Sequence, residues 1–184
     1  MKRIYFFFAT LAIMAFIGVS YGQTQPPNSG FETWSGSLPT SWNSISQVNH
    51  ISQTTPSHSG SYAAKLETKN VIFYGAVPGL LTLGTFNSST NTIDGGIAFY
   101  ERPDSLVVWY KYFPQSGDTA FVAMATFLNG DTVSQASAYL TATQSSWKRL
   151  SIPVEFKSSA NPNLLNVGFL SSMQGSAQAG TYLI

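Results

Sequence analysis

The sequence predicts an all-β protein, a two-sheet antiparallel β-sandwich. Three observations carry this. Several segments alternate apolar and polar residues with a period of two, as half-buried strands do. Turn residues punctuate them at short intervals, most clearly Asn129-Gly130, a dipeptide suited to a type I′ hairpin because both central residues need φ > 0. Outside the N-terminal segment, no stretch sustains the i, i+3, i+4 apolar spacing of a helix.

Ser105 to Phe113 is the clearest strand. Leu106, Val108, Tyr110 and Tyr112 fall on one face, suited to a core. Val107, Trp109 and Lys111 fall on the other, which Lys111 turns toward water. Pro114 to Gly117 breaks the run, and a second strand starts at Asp118 and stays apolar to Leu128. Thr132 to Leu140 is its hairpin partner. Upstream, Gln47 to Gln53 reads as a short strand, and Ser61 to Thr68 alternates with Tyr62, Ala64 and Leu66 on one side. Val71 to Tyr74 and Gly79 to Phe86 are short apolar runs, Asn87 to Gly96 is a polar loop, and Ile97 to Tyr100 precedes the central pair. Downstream, Trp147 to Val154 alternates again, and Leu165, Val167 and Phe169 mark a further strand. Tyr182-Leu183-Ile184 reads as the beginning of a strand, so the sandwich is expected to lack its last strand.

Of the 184 residues, 9% are charged and none is cysteine. Soluble domains carry about 25% charge. Ser, Thr, Asn, Gln and Gly replace it, a composition suited to extracellular β-proteins. Residues 1–22 form a secretory signal peptide: Lys2 and Arg3 are followed by an apolar run from Ile4 to Val19, then by Ser20-Tyr21-Gly22 as the cleavage site. The apolar run is shorter than the roughly 20 residues of a membrane span. The expected organisation is thus a signal peptide, 1–22, and one β-sandwich domain, 23–184, C-terminally truncated. The expected location is secreted, periplasmic or at the cell surface. With Lys2 and Arg3 removed, seven basic residues face eight acidic ones. Without a basic patch, nucleic acid is a poor partner. No second long apolar run predicts a membrane span. The absence of cysteine excludes disulfides and thiolate chemistry.

NSGFETW, LPTSW, SGSYAAKLET, RPDSLVVWYKYFPQSGDTA, SSWKRLSIPVEF and NPNLLNVGFLSS, in this order, resemble the putative carbohydrate metabolism domain of secreted bacterial proteins. The most specific part is the Arg102 to Ala120 run. The opening Asn-x-Gly-Phe-Glu, at Asn28 to Glu32, is similar to the start of jelly-roll carbohydrate-binding modules. The resemblance implies a jelly-roll-like sandwich, often with a structural calcium ion, and one further strand beyond the position of Ile184. It places Glu32 at a calcium-ligand position; read by itself, Glu32 is an N-terminal surface glutamate.

Sugars present apolar faces ringed by hydroxyls, and proteins hold them with flat aromatics and polar rims. Trp109, with Lys111 on the same strand face, and Trp34, in a turn-rich stretch, are the candidate glycan-stacking residues. Trp42 and Trp147 read as core plugs. Glycoside hydrolysis needs two carboxylates about 5–9.5 Å apart, and no pair among the eight acids announces itself. Arg102 and Asp104 read as a local ion pair, and Asp118 as a cap on backbone N–H groups. The expectation is a secreted, non-catalytic glycan-binding module. The alternatives are an adhesion or structural module of a cell-surface protein, its open sheet edge filled by further chain or a partner strand, and, more distantly, a glycoside hydrolase.

Overall fold

The computed structural model describes residues 24–45, 50–115 and 117–184. The segment expected to be a signal peptide and part of the Gln47 to Gln53 stretch lie outside the described residues. In chain order the strands are Trp34–Ser35 (β1), Leu38–Pro39 (β2), Ile51–Thr54 (β3), Ala63–Glu67 (β4), Lys69–Val71 (β5), Gly75–Val77 (β6), Leu80–Thr82 (β7), Thr85–Asn87 (β8) and Thr92–Asp94 (β9). They continue as Ile97–Ala98 (β10), Ser105–Phe113 (β11), Ala120–Leu128 (β12), Asp131–Leu140 (β13), Gln144–Pro153 (β14), Glu155–Phe156 (β15), Leu164–Leu170 (β16) and Tyr182–Leu183 (β17).

Two antiparallel sheets form the sandwich. One has the order β14-β11-β17-β4-β3; the other runs β10-β16-β12-β13-β15, with β7 also paired to β16. Alternation decides which side chains meet between them. Tyr110 and Tyr112 of β11, Ala64 and Leu66 of β4, Val122 and Met124 of β12, and Leu165 and Val167 of β16 are all buried in one cluster, with Leu106 and Val108 packed against it. Val107 and Trp109 are exposed, as the alternation of β11 predicts. Leu128 pairs with Asp131, and Asn129 and Gly130 adopt φ of 54° and 99°, which is the expected two-residue hairpin.

Two local readings differ. The polar stretch Asn87 to Gly96 is not a plain loop: it holds β9, which pairs with β8 as a short hairpin. Ile72, Phe73 and Tyr74 do not enter a sheet. They form the exposed turn between β5 and β6, with Phe73 at φ 71°. Their apolar run is too short to pair, and Gly75 follows at positive φ.

Buried polar groups tie the ends of the strands together. The Asp118 carboxylate accepts hydrogen bonds from Thr119 N at 2.7 Å, Ser172 Oγ at 2.6 Å and Gln178 N at 2.9 Å. Thr68 Oγ1 bonds both Ser171 Oγ and Ser172 Oγ, and Ser171 Oγ accepts from Gly79 N. Asp118, Thr68, Ser171 and Ser172 are all buried. The network holds the segment before β17 against the starts of β12 and β7. The capping role of Asp118 is therefore present and wider than its own turn. Arg102 behaves differently from the expected ion pair. Its guanidinium donates to Ser158 O and Ala160 O and lies 4.0 Å over the Phe156 ring. The planar fork finds carbonyls and an aromatic face within reach, while Asp104 supplies its backbone carbonyl to Val154 N.

Asp118→Ala leaves three donors without their acceptor in a buried site. Bonds to charged groups are worth about 1.5–3 kcal/mol each, non-additively, so we predict a loss of about 3 kcal/mol in urea unfolding. A loss below about 1 kcal/mol would show that the network does not hold the strand ends.

Candidate functional site

The outer face of the β11 sheet carries the site's aromatic groups. Trp109 projects outward and is 43% exposed. Directly across on β14 stands Arg149, also exposed. The pairing Tyr110↔Lys148 sets Lys111 beside Trp147, and the Lys111 ammonium lies 5.0 Å from the Trp147 ring centroid. His58, from the loop before β4, stacks on Trp109 with centroids 3.8 Å apart and 13° between planes. The same imidazole meets Trp147 edge-on at 6.0 Å. The result is a line of two indoles bridged by an imidazole, with two cations at its side.

This corrects the reading of Trp147 as a core plug: it is half-buried on the outer face, because β14 turns that position away from the core. Trp42 is the buried plug, edge to Phe31 at 5.2 Å and against Phe169. Trp34 is not brought into the Trp109 group. It lies on the β1–β2 ladder, packs against the core and donates Nε1–H to Phe31 O at 2.6 Å. His58 is an exposed residue of the loop before β4, and no sequence pattern joins it to Trp109. Its only sequence signal is its place in a Pro- and Gly-punctuated loop, which gives no direction to the ring.

Glu32 positions that loop. Its carboxylate accepts from Ser61 N at 3.1 and 3.0 Å and from Tyr62 N at 3.2 Å. Gly60 has φ 69°, and a Cβ there would lie 2.2 Å from Glu32 Oε1, so the loop passes the carboxylate closely enough to need glycine. The carboxylate thus faces two N–H donors. Among the described residues, no group of three or more His, Cys, Asp or Glu gathers to hold a metal ion.

Beneath and beside the aromatic line lies a cavity of about 380 Å³. Its mouth is walled by β11 from Ser105 to Tyr110 and by Tyr62 to Ala64; its floor is core, including Leu81, Val122 and Val167. Burying apolar surface is the main stabilising term in folding, so an opening down to core side chains is a feature of consequence. A second groove of about 350 Å³ crosses the outer face of the other sheet. Phe121 and Phe127 stand at its ends, Ala123 and Ala125 form its floor, and Gln135 and Ser137 line its side. Tyr139, 62% exposed, packs on Phe121 at 5.0 Å. The Phe-x-Ala-x-Ala-x-Phe spacing of β12 was the sequence signal for it.

The carboxylates are spread. Glu67 pairs with Lys65 and Lys69, and Glu155 with Lys157. Glu101 accepts from Thr24, and Asp94 from Asn87 and Thr92; these bonds hold both carboxyls below their ordinary range. Among the described residues, no helix is long and apolar enough to cross a membrane.

The chain matches no family model and no curated protein. Among solved structures it is similar to a protein of Bacteroides thetaiotaomicron named a putative glycoside hydrolase, at 18% identity and TM-score 0.58, over 73% of this chain and 54% of that one. A Bacteroides vulgatus protein of the same name matches at 18% identity and TM-score 0.56, over 73% of this chain and 74% of that one. An arabinose-bound α-L-arabinofuranosidase matches at 14% identity and TM-score 0.53, over 88% of this chain and 25% of that one. The chain thus spans about half the length of the first of these, three-quarters of the second and a quarter of the third. At such identities the likeness is one of fold: a β-rich sandwich shared with proteins named for carbohydrate chemistry.

His58→Ala uncovers one face of Trp109 and the edge of Trp147. We predict a higher acrylamide quenching constant for the indole fluorescence, an increase that disappears when Trp109→Phe is already present. An unchanged constant in the single variant would contradict the stacked arrangement.

Proposed function

We propose that the protein is a non-catalytic carbohydrate-binding β-sandwich, exported from the cell, with Trp109 at the centre of its site. The observation that carries this is the outward Trp109 indole, set among His58, Trp147, Lys111 and Arg149 on one sheet face. A flat aromatic supplies the apolar platform for a sugar ring, and the cations and imidazole supply donors for its hydroxyls. His58 covers one indole face, so the sugar packs on what His58 leaves open or displaces it. The fold likeness to proteins named as glycoside hydrolases and as an arabinofuranosidase supports a carbohydrate setting. Glu32, Glu67, Asp94, Glu101, Asp118 and Glu155 all have local partners, which supports binding over hydrolysis.

Aromatic contacts of this kind are worth about 0.5–1.5 kcal/mol beyond burial. Binding is then weak, roughly millimolar to micromolar, and losing the indole weakens it about tenfold. Affinity-gel electrophoresis over a panel of soluble polysaccharides tests this. We expect retardation by at least one polysaccharide, reduced about tenfold in Trp109→Ala and unchanged in Trp34→Ala. Loss in Tyr139→Ala instead would move the site to the opposite sheet. No retardation by any polysaccharide would contradict the reading, and steady release of reducing ends would overturn its non-catalytic part.

A further inference from the structure

Two cations stand beside Trp109 and, among the described residues, neither meets a carboxylate. Asp104 O accepts from Val154 N, so the even residues of β11 form the hydrogen-bonded pairs with β14. Trp109 and Arg149 are therefore a non-hydrogen-bonded pair, the kind whose side chains stand closest, with Cα atoms about 4.5 Å apart. Arg149 is exposed and has no hydrogen-bond or ion-pair partner among the described residues. Lys111 is two residues along β11 on the same face, roughly 7 Å away. Its ammonium lies over the Trp147 ring, a contact that leaves N–H donors for a ligand.

The acids near this face are engaged elsewhere. The five strands of the sheet contain one acidic residue, Glu67, and its carboxylate lies 3.3 Å from Lys65 Nζ and 3.8 Å from Lys69 Nζ. Glu67 stands opposite Tyr182, which stands opposite Phe113. It is thus four residues and two strands from Trp109, roughly 16 Å, beyond the Debye length of about 8 Å at physiological salt. Glu32, under the His58 loop, is turned to the N–H groups of Ser61 and Tyr62. Asp104 precedes β11 and has the parity of its core-facing residues. A chain that is close to neutral as a whole is therefore positive around its outward indole.

We propose that the Trp109 site takes an acidic glycan, one whose sugar rings carry a carboxylate, with Arg149 as the main partner of that carboxylate and Lys111 as the second. The inference rests on the carbohydrate reading and narrows its ligand to uronic acids. A pyranose packed on an indole presents its ring substituents at the edge of the platform, and in a uronic acid the carboxylate is one of them. The pairing of Trp109 with Arg149 sets a guanidinium at that edge, and its planar fork matches the two oxygens of a carboxylate. A neutral sugar at the same place would cover two cations and offer them only hydroxyls, and removing a charge from water is costly unless the charge is paired. The carboxylate supplies the pair.

The test is affinity-gel electrophoresis in polygalacturonate and in alginate, each beside the same polymer with its carboxyls methyl-esterified, and in neutral polysaccharides. We expect at least one of the two acidic polymers to bind about fivefold more tightly than its ester, the scale of one exposed ion pair. Arg149→Gln removes that difference, and Arg149→Lys, which keeps the charge and loses the fork, retains part of it. Lys148→Gln is the control for net charge. It removes a cation from the next position of β14, which is paired with the core-facing Tyr110, and leaves binding within about twofold of the unaltered protein. Equal binding of acid and ester, lost in Trp109→Ala, would overturn this inference and leave the carbohydrate reading standing. So would neutral polysaccharides bound with neither acidic polymer. Binding to no polysaccharide would overturn both. Equal losses in Arg149→Gln and Lys148→Gln, or acidic-polymer binding that survives Trp109→Ala, would show a general attraction for polyanions and overturn the assignment of the carboxylate to this site.

Discussion

The pairing of β11 governs the rest of the molecule. This nine-residue strand is bonded to β14 along nearly its whole length, but to β17 only near its C-terminal end. Among the described residues, one edge is therefore closed and the other is mostly open. The same strand sets the two faces of its sheet. Its even side chains build the core with β4, β12 and β16, and its odd ones raise Trp109 and Lys111 on the outside. Core, aromatic line and open edge are three consequences of how this one strand is placed.

The ends of the strands depend on a different kind of interaction. Buried hydroxyls and the Asp118 carboxylate connect segments that are far apart in sequence: Thr68 reaches Ser171 and Ser172, and Asp118 reaches Ser172 and Gln178. A buried polar group costs free energy unless it is bonded, so these contacts select one arrangement of the chain before β17. They place Tyr182, stacked on Phe113 at 4.6 Å and covered by Lys65, and so aim β17 along its line. The buried Tyr112 hydroxyl lies near the Asp118 carboxylate. Burial, and then the negative charge of Asp118, push the tyrosine pKa up.

Much of the fold was legible because its signals are local. The alternation of Ser105 to Phe113 placed Tyr110 inward and Trp109 outward, and Asn129-Gly130 specified its own turn. What could not be read depends on partners remote in sequence. Arg102 has Asp104 two residues away, yet it bonds carbonyls near Ser158, because the loop after β15 passes closer to its fork. Trp147, by contrast, belongs to an alternating run whose even members Leu150, Ile152 and Val154 pack on the core, so its odd position already assigns it to the outer face, and its bulk alone suggests a core plug. His58 had no pattern at all: Glu32 and Gly60 bring its loop onto Trp109. The exposed Ile72-Phe73-Tyr74 turn shows the converse, an apolar run that composition assigns to a core and tertiary pairing leaves outside.

That β11 has one bonded edge and, among the described residues, one mostly unpaired edge is tested most directly by amide hydrogen exchange resolved along that strand. An alternating pattern is expected: slow exchange at Leu106, Val108 and Tyr110, whose N–H groups point to β14, and fast exchange at Val107 and Trp109, whose N–H groups point to the open edge. Uniform protection from Leu106 to Tyr110 would contradict it, because the odd amides would then already have partners.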